Sequence, residues 1–191
     1  MIRAIVFDWY NVCTKEGWTN HVAKEIALKY GLLEERVKLV LKDLFPQFVT
    51  GEIEPEAYLA ELSSQLGVNI GPEIFNLLPA LNQEVLTLIQ KLKQKYTPIL
   101  FTGNFKPVFE NYQKKINMQE YFDHLFLSYE YGRRKDDPEM WNLILEKTKL
   151  NPEEVLFIDD NPRYIEIARN RGVRSILFTN QEVTEIIEAI E

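Results

Sequence analysis

The sequence predicts an α/β fold in which a parallel β-sheet is flanked by helices and a small helical unit is inserted after the first strand. Short apolar, β-branched runs such as residues 4–7 and 155–158 are typical of fully buried strands. From Asn82 onward such runs alternate with helical segments, which is the pattern of βαβ units with right-handed crossovers. Residues 14–78 instead carry helical periodicity and no convincing strand.

The inserted segment is predicted to hold four helices, because apolar residues recur at helical spacing and glycine or proline marks the ends. Val22, Ile26 and Tyr30 lie one turn apart, for example. The first helix ends at Gly31, the second spans residues 37–44, the third runs from Pro55 to Gly67, and a short fourth opens at Gly71-Pro72.

Strands and helices are predicted to alternate through the rest of the chain. The lysine-rich end of the first of these helices suits the negative end of a helix dipole. In order we expect helix 83–95, strand 97–101, helix 107–115, strand 125–128, a helix from Asp137 to about Lys147, strand 155–158, a helix from Asn161 to near Gly172, strand 175–178 and helix 181–190.

Composition and net charge argue against several classes of protein and of partner. The 191 residues include 46% apolar and 27% charged residues, with a net charge of −7, which argues against nucleic acid as a partner. A single cysteine, Cys13, excludes a disulfide framework and CxxC metal sites. No signal-type segment and no apolar run of spanning length is visible. We therefore expect a soluble cytoplasmic protein without a membrane partner.

Polar residues that can bind phosphate or metal follow three of the predicted strands. Asp8 follows the first strand, at the edge where parallel sheets bind ligands, although an aspartate there can also simply cap a turn. Thr102-Gly103-Asn104 precede a helix and can form an anion cradle or an ordinary turn. Asp159 and Asp160 would repel each other unless they share a cation such as Mg²⁺; the alternative is two solvated loop acids.

The charged segment Gly132–Pro138 is the fourth candidate. Its lysine, Lys135, can neutralise charge in a pocket, or the whole run can be a solvated loop of mixed charge.

In this order the four segments resemble the motifs of the haloacid dehalogenase-like (HAD) hydrolase superfamily, over essentially the whole chain. The segments are 7–12, 100–104, 132–138 and 156–162. The first and fourth look most like the branch of sugar-phosphate phosphatases and the N-terminal phosphatase domains linked to epoxide hydrolases. The resemblance implies a three-layer Rossmann-like core domain of residues 1–13 and 81–191, with a helical cap domain at residues 14–80.

The resemblance also implies a Mg²⁺-dependent phosphatase and assigns a role to each motif residue. Asp8 would attack phosphorus and form an aspartyl-phosphate. The ion would lie against Asp8, the backbone carbonyl of Tyr10, and Asp160 with support from Asp159. Phosphoryl oxygens would be held by Thr102, Gly103, Asn104 and Lys135, and Lys135 would also pair with Asp8.

Tyr10 departs from the family pattern, since most of these phosphatases carry a second aspartate here as general acid and base. Tyr10 is then the candidate proton donor, although a phenol with a pKa of about 10 is a poor base. Asp136 is a smaller departure, because the family usually has proline there.

Two alternatives to the phosphatase follow from these departures. Tyrosine at this position also occurs in the metal-independent 2-haloacid dehalogenase branch, but that branch lacks the Asp159-Asp160 pair. The other alternative is a catalytically weak relative that binds a phosphorylated ligand or a partner protein. We expect a small phosphorylated metabolite as substrate and a monomer or homodimer.

Overall fold

The computed structural model of the chain describes residues 1–179. At its centre lies a five-stranded sheet with the strand order β3-β2-β1-β4-β5, in which every pairing is parallel. The predicted parallel α/β fold is therefore confirmed. The strands are β1 (Ala4–Phe7), β2 (Thr97–Thr102), β3 (His124–Leu127), β4 (Val155–Asp159) and β5 (Arg174–Leu177).

Eight α-helices connect the strands in the described part of the chain. They are α1 (Trp18–Tyr30), α2 (Glu34–Val49), α3 (Pro55–Leu66), α4 (Gln83–Leu92), α5 (Lys106–Gln113), α6 (Ser128–Tyr131), α7 (Glu139–Thr148) and α8 (Pro162–Arg169). Short 3₁₀ turns occur at Pro72–Asn76, Met118–Glu120 and Pro152–Glu154.

Most predicted boundaries move by one to three residues, and three differences are larger or change the type of element. The short fourth helix of the insertion is a 3₁₀ turn. The strand expected at 125–128 ends at Leu127, because Ser128 begins the one-turn helix α6. Helix α2 continues through Pro46 to Val49, although proline removes a helical hydrogen bond. The predicted helix 181–190 lies outside the described residues.

Both faces of the sheet are buried, which explains the continuous apolar runs of its strands. Alternate strand residues enter two separate cores. Ile5 and Phe7 point to the side covered by α4 and α5, whereas Val6 and Phe157 point to the side covered by α7 and α8. The result is the three-layer arrangement that the sequence predicted.

The strand order places three chemically active positions side by side. The chain passes from the central β1 to β2 and β3 on one side, and later to β4 and β5 on the other. Such a switch point is where open α/β sheets bind ligands. Asp8 directly follows β1, Thr102 ends β2 and Asp159 ends β4, so their side chains converge at one edge.

The helices of the insertion, α1 to α3, lie over this edge and are joined to it by aromatic packing. The Phe48 ring of α2 stacks at 4.1 Å on Tyr58 of α3 and at 4.5 Å on Phe105, which precedes α5. All three rings are buried. Within residues 1–179 no helix is long and apolar enough to cross a membrane.

Phe48→Ala should destabilise the protein by about 3–5 kcal/mol, because it empties a buried ring site between the insertion and α5. Leu39→Ala is the matched control, since Leu39 lies on the same helix and is 68% exposed; it should change stability by no more than about 0.5 kcal/mol. Urea unfolding measures both. Equal effects of the two substitutions would contradict the proposed anchoring role of Phe48.

Candidate active site

Asp8 lies in a buried site at the end of β1. Its side chain makes no capping hydrogen bond to the turn that follows, so the simple capping role considered above does not hold. Instead its Oδ1 atom lies 2.8 Å from Lys135 Nζ. Asp8 is only 7% exposed, and its backbone N–H donates to the carbonyl of Ile158 on β4.

Lys135 is the centre of the site. Its ammonium group forms buried ion pairs with both Asp8 and Asp159. The rings of Phe101, Phe157 and Tyr164 lie 4.9–5.5 Å from Nζ, at distances typical of cation–π contacts. No pattern in the sequence pointed to Tyr164.

The other charged residues of the segment around Lys135 form ion pairs at or near the surface. Asp136 pairs with Arg134 and Arg163, and Asp137 pairs with Arg133. Both interpretations of this segment therefore apply, each to different residues. Lys135 neutralises charge in the buried site, and its charged neighbours form the mixed-charge loop. Asp136, where the family usually has proline, ties the loop to α8 through Arg163.

Asp159 and Asp160 differ in environment. Asp159 is fully buried, with one oxygen paired to Lys135 and the other accepting from the Asn161 N–H. Asp160 is partly exposed, and its Oδ2 accepts a 2.8 Å hydrogen bond from Asn11 Nδ2. Asn11 has a φ of 60°, a left-handed conformation that asparagine tolerates. This orienting contact by Asn11 was not predicted.

Thr102 and Gly103 lie beside these acids, at the end of β2. Thr102 is fully buried and its Oγ1 has no protein partner. A Cβ at Gly103 would lie 3.3 Å from Val49 and 3.8 Å from both Phe45 and Ser128 Oγ. A side chain at position 103 would therefore press against Val49, so glycine allows helix α2 to approach the end of β2.

Asn104 connects this strand end to Tyr10. The Asn104 Oδ1 atom accepts hydrogen bonds from Tyr10 Oη and from the Phe105 N–H, both at 2.8 Å. Asn104 is fully buried and its Nδ2 has no protein partner. Burial raises the pKa of the Tyr10 phenol well above its ordinary value.

The site holds more negative than positive charge. Burial raises the pKa of Asp8 to about 8; Lys135 opposes that shift, and Asp159 and Asp160 add to it. Burial would lower the pKa of Lys135, but the carboxylates of Asp159 and Asp8 outweigh it and raise the pKa above its ordinary value. Burial and Asp159 also raise the pKa of Asp160. Three carboxylates around one ammonium group favour binding of a further cation.

The same three residues fit a small divalent cation. Asp8, Asp159 and Asp160 each place a carboxylate oxygen within 4.8 Å of the others. Because Asp159 uses both oxygens in contacts with the protein, Asp8 and Asp160 are the two that retain an oxygen for an ion. Oxygen-only ligands are those that Mg²⁺ prefers.

A cleft of about 370 Å³ opens beside Asp160, between the insertion and the sheet edge. Trp18, Lys42 and Phe45 line it from the insertion, and Tyr10 and Asp160 line it from the sheet. A larger cleft of about 710 Å³ lies beside Ile2, Thr97 and His124, where strands begin, and contains none of the site residues.

Two relatives match most or all of this chain. D-ribitol-5-phosphate phosphatase from Bacteroides thetaiotaomicron is 24% identical over 99% of this chain and 100% of that protein. Bifunctional epoxide hydrolase 2 from Sus scrofa is 26% identical over 92% of this chain but only 36% of its own length.

A solved structure and a family model agree with these relatives. A HAD family enzyme from Bacteroides thetaiotaomicron, crystallised with magnesium and inorganic phosphate, has a TM-score of 0.80 at 20% identity and covers 97% of this chain and 99% of that one. At that identity the likeness shows the fold. The model for haloacid dehalogenase-like hydrolases matches residues 2–172. The resemblance found in the sequence is therefore confirmed: the chain belongs to the haloacid dehalogenase-like hydrolase family.

Proposed function

We propose that this hydrolase is a Mg²⁺-dependent phosphatase that releases phosphate from a small phosphorylated metabolite through an aspartyl-phosphate on Asp8. One observation carries the proposal: Lys135 is buried between Asp8 and Asp159, with Asp160 beside them. This arrangement holds a carboxylate nucleophile, a fixed positive charge and a pair of cation ligands at one point.

Each group has a chemical task in such a reaction. An Asp8 oxygen forms a bond to phosphorus while the bond from phosphorus to the leaving alcohol breaks, so the phosphoryl group passes to the carboxylate. The leaving oxygen departs with the electron pair of the broken bond and takes a proton from solvent. Water then attacks phosphorus, loses a proton to solvent, breaks the bond to Asp8 and releases phosphate. Lys135 balances the charge of both anions throughout. The unpartnered Thr102 Oγ1 is suited to donate to a phosphoryl oxygen.

Mg²⁺ bound by Asp8, Asp160 and the Tyr10 backbone carbonyl would supply charge neutralisation and would orient the phosphoryl group. The support for this ion is the spacing of the carboxylates and the excess of negative charge described above. Asn11 would keep Asp160 oriented toward the ion through its 2.8 Å hydrogen bond. This contact supports the choice of Asp160 as the ligand.

The cleft and the relatives support a small substrate. A volume of about 370 Å³ suits a metabolite better than a polymer. The bacterial relative's name specifies a phosphorylated sugar alcohol, which is the substrate class that we propose here. We also propose that residues 14–80 form the cap domain and bind the leaving group through the residues that line the cleft.

The dehalogenase alternative has little to support it. Tyr10 was the one sequence feature in favour of a dehalogenase, and in the structure its hydroxyl donates a hydrogen bond to the Asn104 side chain. Three clustered carboxylates would be unfavourable in an enzyme that works without a metal, because the single ammonium group of Lys135 would offset only part of their mutual repulsion.

Removing divalent ions should abolish the phosphatase activity, and Mg²⁺ should restore it. We expect p-nitrophenyl phosphate hydrolysis to stop in EDTA and Asp160→Asn to need far more Mg²⁺ for half-maximal rate. Asp123→Asn is the control, since Asp123 forms a surface ion pair with Lys93; it should leave the Mg²⁺ requirement unchanged. Undiminished p-nitrophenyl phosphate hydrolysis in EDTA would contradict the Mg²⁺ requirement, and chloride release from a 2-haloacid in EDTA, without phosphate ester hydrolysis, would favour the dehalogenase.

The rate should depend steeply on the pKa of the leaving group, because no second aspartate protonates it. Aryl phosphates should therefore be cleaved much faster than alkyl phosphates. Tyr10→Asp should raise alkyl phosphate turnover by about ten-fold or more, given the usual contribution of acid catalysis. Rates for a series of phosphate esters measure this. If the wild type cleaves alkyl and aryl phosphates equally fast, another group supplies the proton.

A further inference from the structure

We propose that Tyr10 is a positioning residue: its hydroxyl fixes the Asn104 amide so that the Asn104 NH₂ group donates to the phosphoryl oxygens of the substrate. The proposal rests on the proposed phosphatase function and names the role that Tyr10 plays in place of the usual aspartate. Tyr10 would then act through Asn104 and not as a proton donor to the leaving group.

The first step is the identity of the amide atom that Tyr10 contacts. The Phe105 backbone N–H lies 2.8 Å from the same Asn104 atom, and an N–H group can only donate. That atom must therefore be the oxygen, Oδ1. The assignment of this atom as the oxygen therefore does not rely on Tyr10, which is the second donor that holds it.

The second step follows for the Tyr10 hydroxyl. It lies 2.8 Å from Asn104 Oδ1, and because a carbonyl oxygen only accepts, the phenol must be the donor. Its proton is therefore already used within the protein. A leaving group could receive this proton only if the bond to Asn104 broke.

The third step concerns the Asn104 NH₂ group, which neither of these hydrogen bonds uses. With Oδ1 bonded twice, the Asn104 Nδ2 atom is buried and has no protein partner. Buried amide donors are rarely left unpaired, and such an exception calls for a missing partner. Thr102 Oγ1, two residues earlier, is also buried and unpartnered. Both groups follow or end β2, the strand that pairs with β1, which Asp8 follows. The oxygens of a phosphoryl group bound at Asp8 would supply the missing partner.

The test measures binding of inorganic phosphate by calorimetry in the presence of Mg²⁺, together with inhibition of p-nitrophenyl phosphate hydrolysis. We expect Tyr10→Phe to weaken phosphate binding about three- to tenfold, the usual value of one neutral hydrogen bond. Asn104→Ala should weaken it at least as much. Asn104→Asp should weaken it more, because it replaces the donor with a negative charge.

The double variant decides whether Tyr10 acts through Asn104. If it does, Tyr10→Phe with Asn104→Ala should bind phosphate no more weakly than Asn104→Ala alone. Tyr112→Phe is the matched control, because its hydroxyl is bonded to the Pro79 carbonyl and its loss removes a comparable buried bond. It should leave phosphate affinity unchanged, and thermal unfolding checks that each variant is folded.

Three results would overturn the proposal. One is multiplicative, independent effects of the two substitutions on phosphate affinity. Another is unchanged phosphate affinity in Tyr10→Phe. The third is a steeper dependence on leaving-group pKa in Tyr10→Phe, which would make Tyr10 the acid. Calorimetry measures phosphate binding without turnover, so the two proposals can fail separately. If the wild-type protein binds phosphate but hydrolyses no ester, the proposed function is contradicted and this inference stands.

Discussion

The ion pairs of Lys135 with Asp8 and Asp159 are the interaction on which the rest of the structure depends. Three charged groups taken out of water are costly, and removing one partner of such a set typically costs about 3–5 kcal/mol. The arrangement is stable only if β1, β4 and the loop before α7 hold their positions together. The flanking rings of Phe101, Phe157 and Tyr164 exclude water and keep the ammonium group in place.

The parallel sheet provides that positioning with few residues. Asp8 and Asp159 follow or end strands that are direct neighbours in the sheet, so their spacing is fixed by backbone hydrogen bonds. The helices of the insertion cover the site at this edge of the sheet. Gly103 allows Val49 of α2 to approach the end of β2, and Phe48 stacks on Phe105. The segments that line the cleft and those proposed to bind phosphate are thereby packed against each other.

The sequence predicted the parts of this site that depend on strand ends. Asp8, Thr102, Asp159 and Asp160 could be identified because buried strands are recognisable and their polar endings are few. The inward orientation of Lys135 could not be derived from the charge pattern, since its neighbours Arg134 and Asp136 form surface pairs; only the family resemblance singled it out.

Contacts between segments that are far apart in the chain could not be predicted from the sequence. The hydrogen bonds of Asn11 to Asp160 and of Tyr10 to Asn104 join residues far apart in the chain, and no local pattern encodes them. The turn α6 was missed because four residues carry no helical periodicity. Gly103 was predicted as part of an anion cradle. Its second role, allowing Val49 to approach the end of β2, could not be predicted without the position of the insertion.

The central claim is that Asp8 is a nucleophile that carries the phosphoryl group. Acid-quenched mass spectrometry during turnover of p-nitrophenyl phosphate tests it most directly. The wild-type protein with Mg²⁺ should show a fraction carrying one phosphoryl group on the peptide that contains Asp8, and Asp8→Asn should be folded, inactive and free of the adduct. Continued turnover by Asp8→Asn would contradict the covalent mechanism.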